Sequence, residues 1–131
     1  MDVLVDTSVW IAFFRNQRNQ AKVCDALDYL LMGDEAVLNE VVLTELLPSI
    51  VHRREMEIAT CLQSVRKLDM EIDWEDIRTM QVICLANGIN KVGVPDLIIA
   101  QQAMRREVPL FSLDGHFRLI AEKMPLKLWP N

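Results

Sequence analysis

The feature that most constrains the fold is the alternation of short apolar segments with longer segments of helical periodicity. The first apolar segment, Val3–Val5, contains two β-branched valines and predicts a buried strand. Further strands are predicted at 36–38, 70–72, 109–112 and 126–128. Helices are predicted between them at 9–14, 19–32, 41–47, 54–68, 73–85, 96–106 and 114–122. Such alternation is typical of an α/β fold, in which helices flank a short, mostly parallel central sheet.

Helix boundaries are predicted from a few residues with strong local preferences. Pro48 is expected to end the helix that begins near Val41, because proline interrupts a helix interior. Asp73 is a suitable N-cap, and Asn87-Gly88 is a suitable C-terminal stop for the helix that follows it. Pro95 stands where a first helical residue is favoured, just before Asp96.

Length and composition predict one domain over residues 1–131. A chain of this length, with 51% hydrophobic residues, can bury a core without disulfide bonds. The net charge of -5 argues at first against RNA or DNA as a substrate, because proteins that bind nucleic acid are usually basic. This objection weakens if several of the acids are gathered at a site where metal ions neutralise them.

The three cysteines, Cys24, Cys61 and Cys84, indicate a reducing environment. Their number is odd and none forms a C-x-x-C pair, which argues against a disulfide framework and a structural zinc site. We predict three core thiols in a cytoplasmic protein. No signal peptide is evident, and the apolar runs are shorter than the ~20 residues that a membrane span needs.

Two acids follow predicted strands, and a third begins a helix. Asp6 comes directly after the first strand, and Asp114 comes just after the strand that ends near Ser112. The carboxyl ends of parallel strands share one edge of a sheet, so these two acids are expected there together. Asp96 lies in the first turn of its helix. The alternatives are a helix cap for Asp6, a dipole-favoured position for Asp96 and a turn acid for Asp114.

Glu45 stands among apolar neighbours in its predicted helix. A carboxylate there lies either on a narrow solvent face or inward against a partner, and a cation is a natural partner. Carboxylate oxygens suit the hard ions Mg²⁺ and Mn²⁺. Four clustered acids would repel one another without such an ion, and with it they can activate water for phosphodiester hydrolysis.

The four acids lie in the segments LVDTSVWI at 4–11, VLTELL at 42–47, PDLIIA at 95–100 and FSLDGHF at 111–117. In this order the segments resemble the four motifs of the PIN-domain ribonucleases, specifically the VapC-type toxins of toxin–antitoxin pairs. The resemblance implies a PIN-like α/β/α sandwich. It also implies an endoribonuclease that depends on Mg²⁺ or Mn²⁺, is usually a homodimer, and is held inactive by a cognate antitoxin.

The resemblance also assigns roles to individual residues. Asp6, Glu45 and Asp96 would be the core metal-binding acids, with Asp114 as the fourth. Ser8 and Ser112 would support the site through their hydroxyl groups, although a hydroxyl near a strand end is often simply a cap.

The fourth motif departs from the pattern at His116. Many relatives carry another acid just before the aromatic residue, so Asp114 has to serve alone there. His116 is expected to be a surface histidine, and a phosphate contact is the alternative.

Basic residues after the first helix, Arg15, Arg18 and Lys22, are candidate contacts for the RNA backbone. A solvated surface is the alternative interpretation for them.

A phosphatase of the haloacid-dehalogenase type would need a second acid two residues after Asp6, where this chain has Ser8. The remaining alternative is a catalytically silent PIN-like module that only binds RNA or a partner, and the presence of all four acids argues against it.

Overall fold

The structure is a computed structural model and describes residues 1–130. Three strands form one parallel sheet in the order β2-β1-β3. They are β1 (Val3–Val5), β2 (Ala36–Val37) and β3 (Leu110–Phe111). Leu4 of the central strand is paired with Val37 on one side and with Leu110 on the other. The predicted α/β class with a short parallel sheet is confirmed.

Helices occupy most of the chain between the strands. They are α1 (Thr7–Phe14), α2 (Ala21–Met32), α3 (Glu40–His52), α4 (Met56–Ser64), α5 (Trp74–Ala86), α6 (Val94–Arg105) and α7 (Gly115–Lys123). A short 3-10 turn at Arg18–Gln20 precedes α2, which therefore begins later than predicted. The caps predicted for α5 are confirmed: the Asp73 side chain accepts from the Asp76 N–H, and Gly88 follows with φ +68°.

The core lies around β1, whose three residues are completely buried. Trp10 of α1 and Phe117 of α7 are its largest fully buried aromatic residues, and the Trp10 indole donates a hydrogen bond of 3.1 Å to the carbonyl of Val5. Leu97 of α6 is also fully buried. The helices that carry candidate site residues are thus fixed against the sheet by their apolar faces.

The strand predicted at 70–72 is wrong. These residues lie in no strand, and the Gln102 side chain bonds to them instead. Its amide accepts from the Glu71 N–H at 3.1 Å and donates to the Glu71 carbonyl at 3.0 Å. A side-chain amide thereby gives this backbone the two hydrogen bonds that a neighbouring strand would supply.

The predicted stop at Pro48 is also wrong, because α3 continues through Pro48 to His52. Proline removes one backbone donor, while the burial of Leu46 and Ile50 on either side holds both halves of the helix against the core. Tertiary packing here overrides a strong local preference.

Several other predictions need smaller corrections. The helix predicted over 54–68 is confined to α4, and Lys67 instead forms an isolated parallel bridge with Leu38. The last predicted strand is reduced to one bridge, between Leu128 and Leu110.

Cys84 is buried, but Cys61 is exposed, so the prediction of three core thiols fails at Cys61. No helix within residues 1–130 is long and apolar enough to cross a membrane.

Candidate active site

The carboxyl edge of the sheet carries Asp6 after β1 and Asp114 shortly after β3. Each is the N-cap of the next helix: Asp6 accepts from the Ser8 N–H at 3.4 Å, and Asp114 accepts from the His116 N–H at 2.9 Å. The capping role considered from the sequence for Asp6 is therefore real, and Asp114, which was considered a turn acid, is a helix cap as well. Both lie at the edge where parallel strands place functional groups.

Two serines hold the Asp6 carboxylate. Ser8 and Ser112 each donate a hydroxyl hydrogen bond of 2.8 Å to Asp6 Oδ2. Ser112 in turn accepts from the Asp114 N–H at 3.0 Å, and Ser8 accepts from the Leu113 N–H at 3.0 Å. Asp6 itself is only 5% exposed, so these bonds compensate a carboxylate that is removed from water. The two hydroxyls tie the first and last motifs together.

Glu45 reaches the same region from α3. The Thr7 hydroxyl donates to Glu45 Oε1 at 2.9 Å, which joins the start of α1 to the middle of α3. Partial burial raises the pKa of Glu45, and the negative charges of Asp6 and Asp96 raise it further, while the hydrogen bond from Thr7 opposes the shift. Thr7 was not singled out from the sequence, although its place between Asp6 and Ser8 was the available signal.

Asp96 completes the group from the first turn of α6, which begins at Val94 with Pro95 next. Burial raises the pKa of Asp96, as do the charges of Asp114 and Asp6, whereas the Gly93 backbone and His116 oppose the shift. The charges of Asp6 and Asp96 act on Glu45, and those of Asp6 and Asp114 act on Asp96. The fold therefore brings the four predicted acids to the same region.

The four acids have the donor chemistry of a divalent-metal site. Within residues 1–130, no three His, Cys, Asp or Glu side chains already stand in a geometry that could hold a metal ion. Protein groups occupy one oxygen each of Asp6, Glu45 and Asp114. The second oxygens of these three accept no hydrogen bond from the described residues. Positioned carboxylates with unused oxygens fit Mg²⁺ or Mn²⁺.

The charge at the site is also uncompensated by protein cations. Among the ion pairs of the described chain, none joins a lysine or arginine to these four acids. The only pairing is between His116 Nδ1 and Asp114 Oδ1, at 3.0 Å. His116 is half-buried beside Asp114, nearer to the acids than the surface position expected from the sequence.

The basic residues predicted to contact RNA lie elsewhere. Arg15 follows the last residue of α1, about 12 Å along the helix from its Asp6 end. Its guanidinium forms two hydrogen bonds with Glu55, of 2.7 and 2.9 Å. Arg18 and Lys22 are exposed around the start of α2. A contact between these three residues and RNA stays a prediction, and Arg15 would have to leave Glu55 to make it.

Comparison with solved structures finds the same fold in the following three. VapBC2 from Rickettsia felis, solved with a DNA fragment from its promoter, has 16% sequence identity and a TM-score of 0.75, with 98% of this chain and 97% of that chain covered. FitAcB from Neisseria gonorrhoeae has 18% identity and a TM-score of 0.66, with 96% and 95% covered. FitAB bound to an IR36 DNA fragment has 18% identity and a TM-score of 0.65, with 97% and 93% covered.

Sequence comparison is informative at the level of the family. Among curated proteins, none matches the sequence. The sequence profile of the PIN domain matches residues 3–123, which include all four acids. The resemblance seen in the four motifs is thus confirmed, and the chain belongs to the PIN domain family.

Proposed function

We propose that this protein is a divalent-metal-dependent endoribonuclease and the toxin of a type II toxin–antitoxin pair. The observation that carries the proposal is the cluster of Asp6, Glu45, Asp96 and Asp114, whose charges act on one another without a lysine or arginine partner. Membership of the PIN domain family, whose members are generally nucleases, agrees with it.

In this proposal the four acids hold Mg²⁺ or Mn²⁺ through their carboxylate oxygens. Such an ion, when bound, lowers the pKa of water and stabilises charge on a phosphodiester. Ser8 and Ser112 keep Asp6 Oδ2 in place, and Thr7 does the same for Glu45 Oε1, so that the unused oxygens stay directed at the site.

The proposal includes partners and a cellular setting. Because the four motifs resemble those of VapC-type toxins and the fold matches VapBC2 and FitAcB, we propose a cognate antitoxin as the inhibitor of this chain and a homodimer as its oligomeric state. The three free cysteines suit the reducing cytoplasm. The substrate would be an exposed single-stranded segment of RNA, where proteins usually read RNA sequence.

The test of the activity is Asp96→Asn beside a matched control. The amide is nearly isosteric but lacks the charge, so we expect RNA cleavage with Mn²⁺ to fall at least about a hundredfold. Asp25→Asn, at an exposed position of α2, should cleave like the wild type. Sequencing of RNA ends after expression of each variant measures the loss and identifies the target. Equal cleavage by Asp96→Asn and wild type would show that the site is misassigned.

The silent binding module is the second candidate, and metal binding separates the two. A ligand that binds only the native state raises the melting temperature. We expect Mn²⁺ to raise the melting temperature of the wild type, and to raise the melting temperature of Asp96→Asn much less. A melting temperature of the wild type that does not respond to Mn²⁺ would favour the silent module.

A further inference from the structure

A cavity of about 400 Å³ opens at the carboxyl end of β3 and is lined in part by Asp114. One wall is the chain that leaves β3 and enters α7, and the other is the segment 128–130. This second wall is held against the sheet edge by backbone hydrogen bonds of Leu110. The Leu110 N–H donates to the Lys127 carbonyl at 2.9 Å, and the Trp129 N–H donates to the Leu110 carbonyl at 2.8 Å.

The cavity and the carboxylate site share residues. Ser112 and Asp114 both line the cavity. The Ser112 hydroxyl lies 2.8 Å from Asp6 Oδ2, and the charge of Asp114 acts on Asp96. If a phosphodiester of an RNA strand lies at the acids, the neighbouring nucleotide of that strand would therefore reach the cavity.

The lining of the cavity also includes a cation and an aromatic ring. Arg118 is exposed on α7 and forms no ion pair with an acidic residue of the described chain. Trp129 is half-buried and packs on Phe111, with ring centroids 4.8 Å apart. Guanidinium groups bind phosphate through paired N–H donors, and aromatic rings stack on nucleobases.

We propose that this cavity is a subsite for one nucleotide of single-stranded RNA, adjacent to the bond that is cut. Arg118 contacts a backbone phosphate, and Trp129 packs against the base. The proposal rests on the ribonuclease function above and extends it to the residues that hold the substrate. It also gives a chain with a net charge of -5 a local cation for an anionic substrate.

A second cavity near the acids lacks this combination. It has a volume of about 320 Å³ and is lined by residues of α3 and α6 together with Met70. It contains Glu40 and Glu45 but no lysine or arginine, so it offers no cation to a phosphate. Arg15, which sequence analysis favoured, is already paired with Glu55. Of these places, the cavity at Arg118 alone combines a cation, an aromatic ring and a shared wall with the acids.

The proposed contact between Arg118 and a backbone phosphate is tested by Arg118→Gln. Lys123→Gln, at the exposed far end of α7, is the matched control. The probe is a fluorescein-labelled single-stranded RNA of twelve nucleotides, titrated by fluorescence anisotropy in EDTA at several salt concentrations. Loss of one phosphate contact should reduce the slope of log affinity against log salt by about 0.7 for Arg118→Gln. Lys123→Gln should leave the slope near that of the wild type.

The base contact is tested by Trp129→Leu and Trp129→Phe. Loss of one stacked base should weaken binding about fivefold or more in the leucine variant, while phenylalanine should retain most of the affinity. Melting temperatures show whether the leucine variant keeps its packing on Phe111. If it does not fold, Arg118→Gln still decides whether RNA binds in the cavity, because Arg118 is exposed and its substitution leaves the core intact.

Two results would overturn the subsite. One is an equal salt slope for Arg118→Gln and Lys123→Gln. The other is a change of oligomeric state in sedimentation without a change in RNA binding, which would make the cavity an interface between copies. Because binding is measured in EDTA, failure of the nuclease proposal is seen separately. RNA that is bound through Arg118 but never cleaved contradicts the enzyme and supports the subsite.

Discussion

At the scale of single residues, hydroxyl groups hold one oxygen of the Asp6 carboxylate and one oxygen of the Glu45 carboxylate. Ser8 and Ser112 converge on Asp6 Oδ2, and Thr7 binds Glu45 Oε1. One oxygen of each acid is thus used for orientation, and the other accepts nothing from the described residues. Side chains that orient a ligand commonly matter nearly as much as the ligand itself.

This division predicts the effect of Ser112→Ala. Without the hydroxyl, Asp6 loses one of its two close donors and the Asp114 N–H loses its acceptor. We expect Mn²⁺ affinity, measured by isothermal titration calorimetry, to fall about tenfold. Ser112→Thr keeps a hydroxyl and should recover most of the affinity.

Ser64→Ala, at the exposed end of α4, is the control and should bind Mn²⁺ like the wild type. Unchanged affinity in Ser112→Ala would mean that Ser112 is only a structural cap.

At the scale of elements, α3 and α6 show how packing decides what local preference leaves open. α3 runs through Pro48, and Gln102 of α6 binds the backbone of Glu71 where a strand was predicted. Both elements also carry a candidate ligand, Glu45 on α3 and Asp96 on α6. The positions of these two acids therefore depend on helices that the rest of the fold holds in place.

The proline in α3 predicts a stabilising substitution. Pro48 is exposed, removes a helical N–H and crowds the carbonyl of Thr44, so alanine should be better tolerated there. We expect Pro48→Ala to raise the free energy of unfolding by about 1–3 kcal/mol, reduced in part because alanine loosens the unfolded chain. Urea denaturation monitored by circular dichroism measures it. A less stable variant would show that the proline fits a bend that α3 needs.

At the scale of the whole molecule, the burial of Asp96 near other acids makes stability depend on pH. Asp96 has a raised pKa because of burial first and of Asp114 and Asp6 next. A carboxyl group with a raised pKa in the folded state stabilises the protein below its ordinary pKa and loses that contribution as pH rises through the raised value. Near neutral pH, the ionised Asp96 therefore costs stability.

We accordingly expect Asp96→Asn to be more stable than the wild type in EDTA near pH 7. The difference should shrink as the pH falls towards the ordinary pKa of 3.8, because Asp96 of the wild type then takes up a proton. Urea denaturation at about pH 7 and about pH 4 compares the two, with Asp25→Asn as the control. An equal difference at both pH values would mean that the gain does not come from the charge.

The sequence by itself determined the class of fold and the sheet edge at which Asp6 and Asp114 lie. Val3–Val5 is apolar throughout and is followed at once by Asp6, and Leu110–Phe111 is followed closely by Asp114. Such local patterns can be recognised because a buried strand needs consecutive apolar residues. Residues that directly follow parallel strands lie at the same edge of the sheet. The assignment of all four acids as metal ligands needed the family resemblance as well, since each has an ordinary explanation as a cap, a turn acid or a residue of a helix surface.

Only the tertiary structure decided which groups meet across long stretches of chain. The bonds from Thr7 to Glu45 and from Ser112 to Asp6 span 38 and 106 residues, and no local pattern encodes such distances. The same holds for the Arg15 pair with Glu55 and for the cavity that places Arg118 beside Asp114. Periodicity reports the face that a residue presents, whereas packing of all the elements together decides what that face contacts.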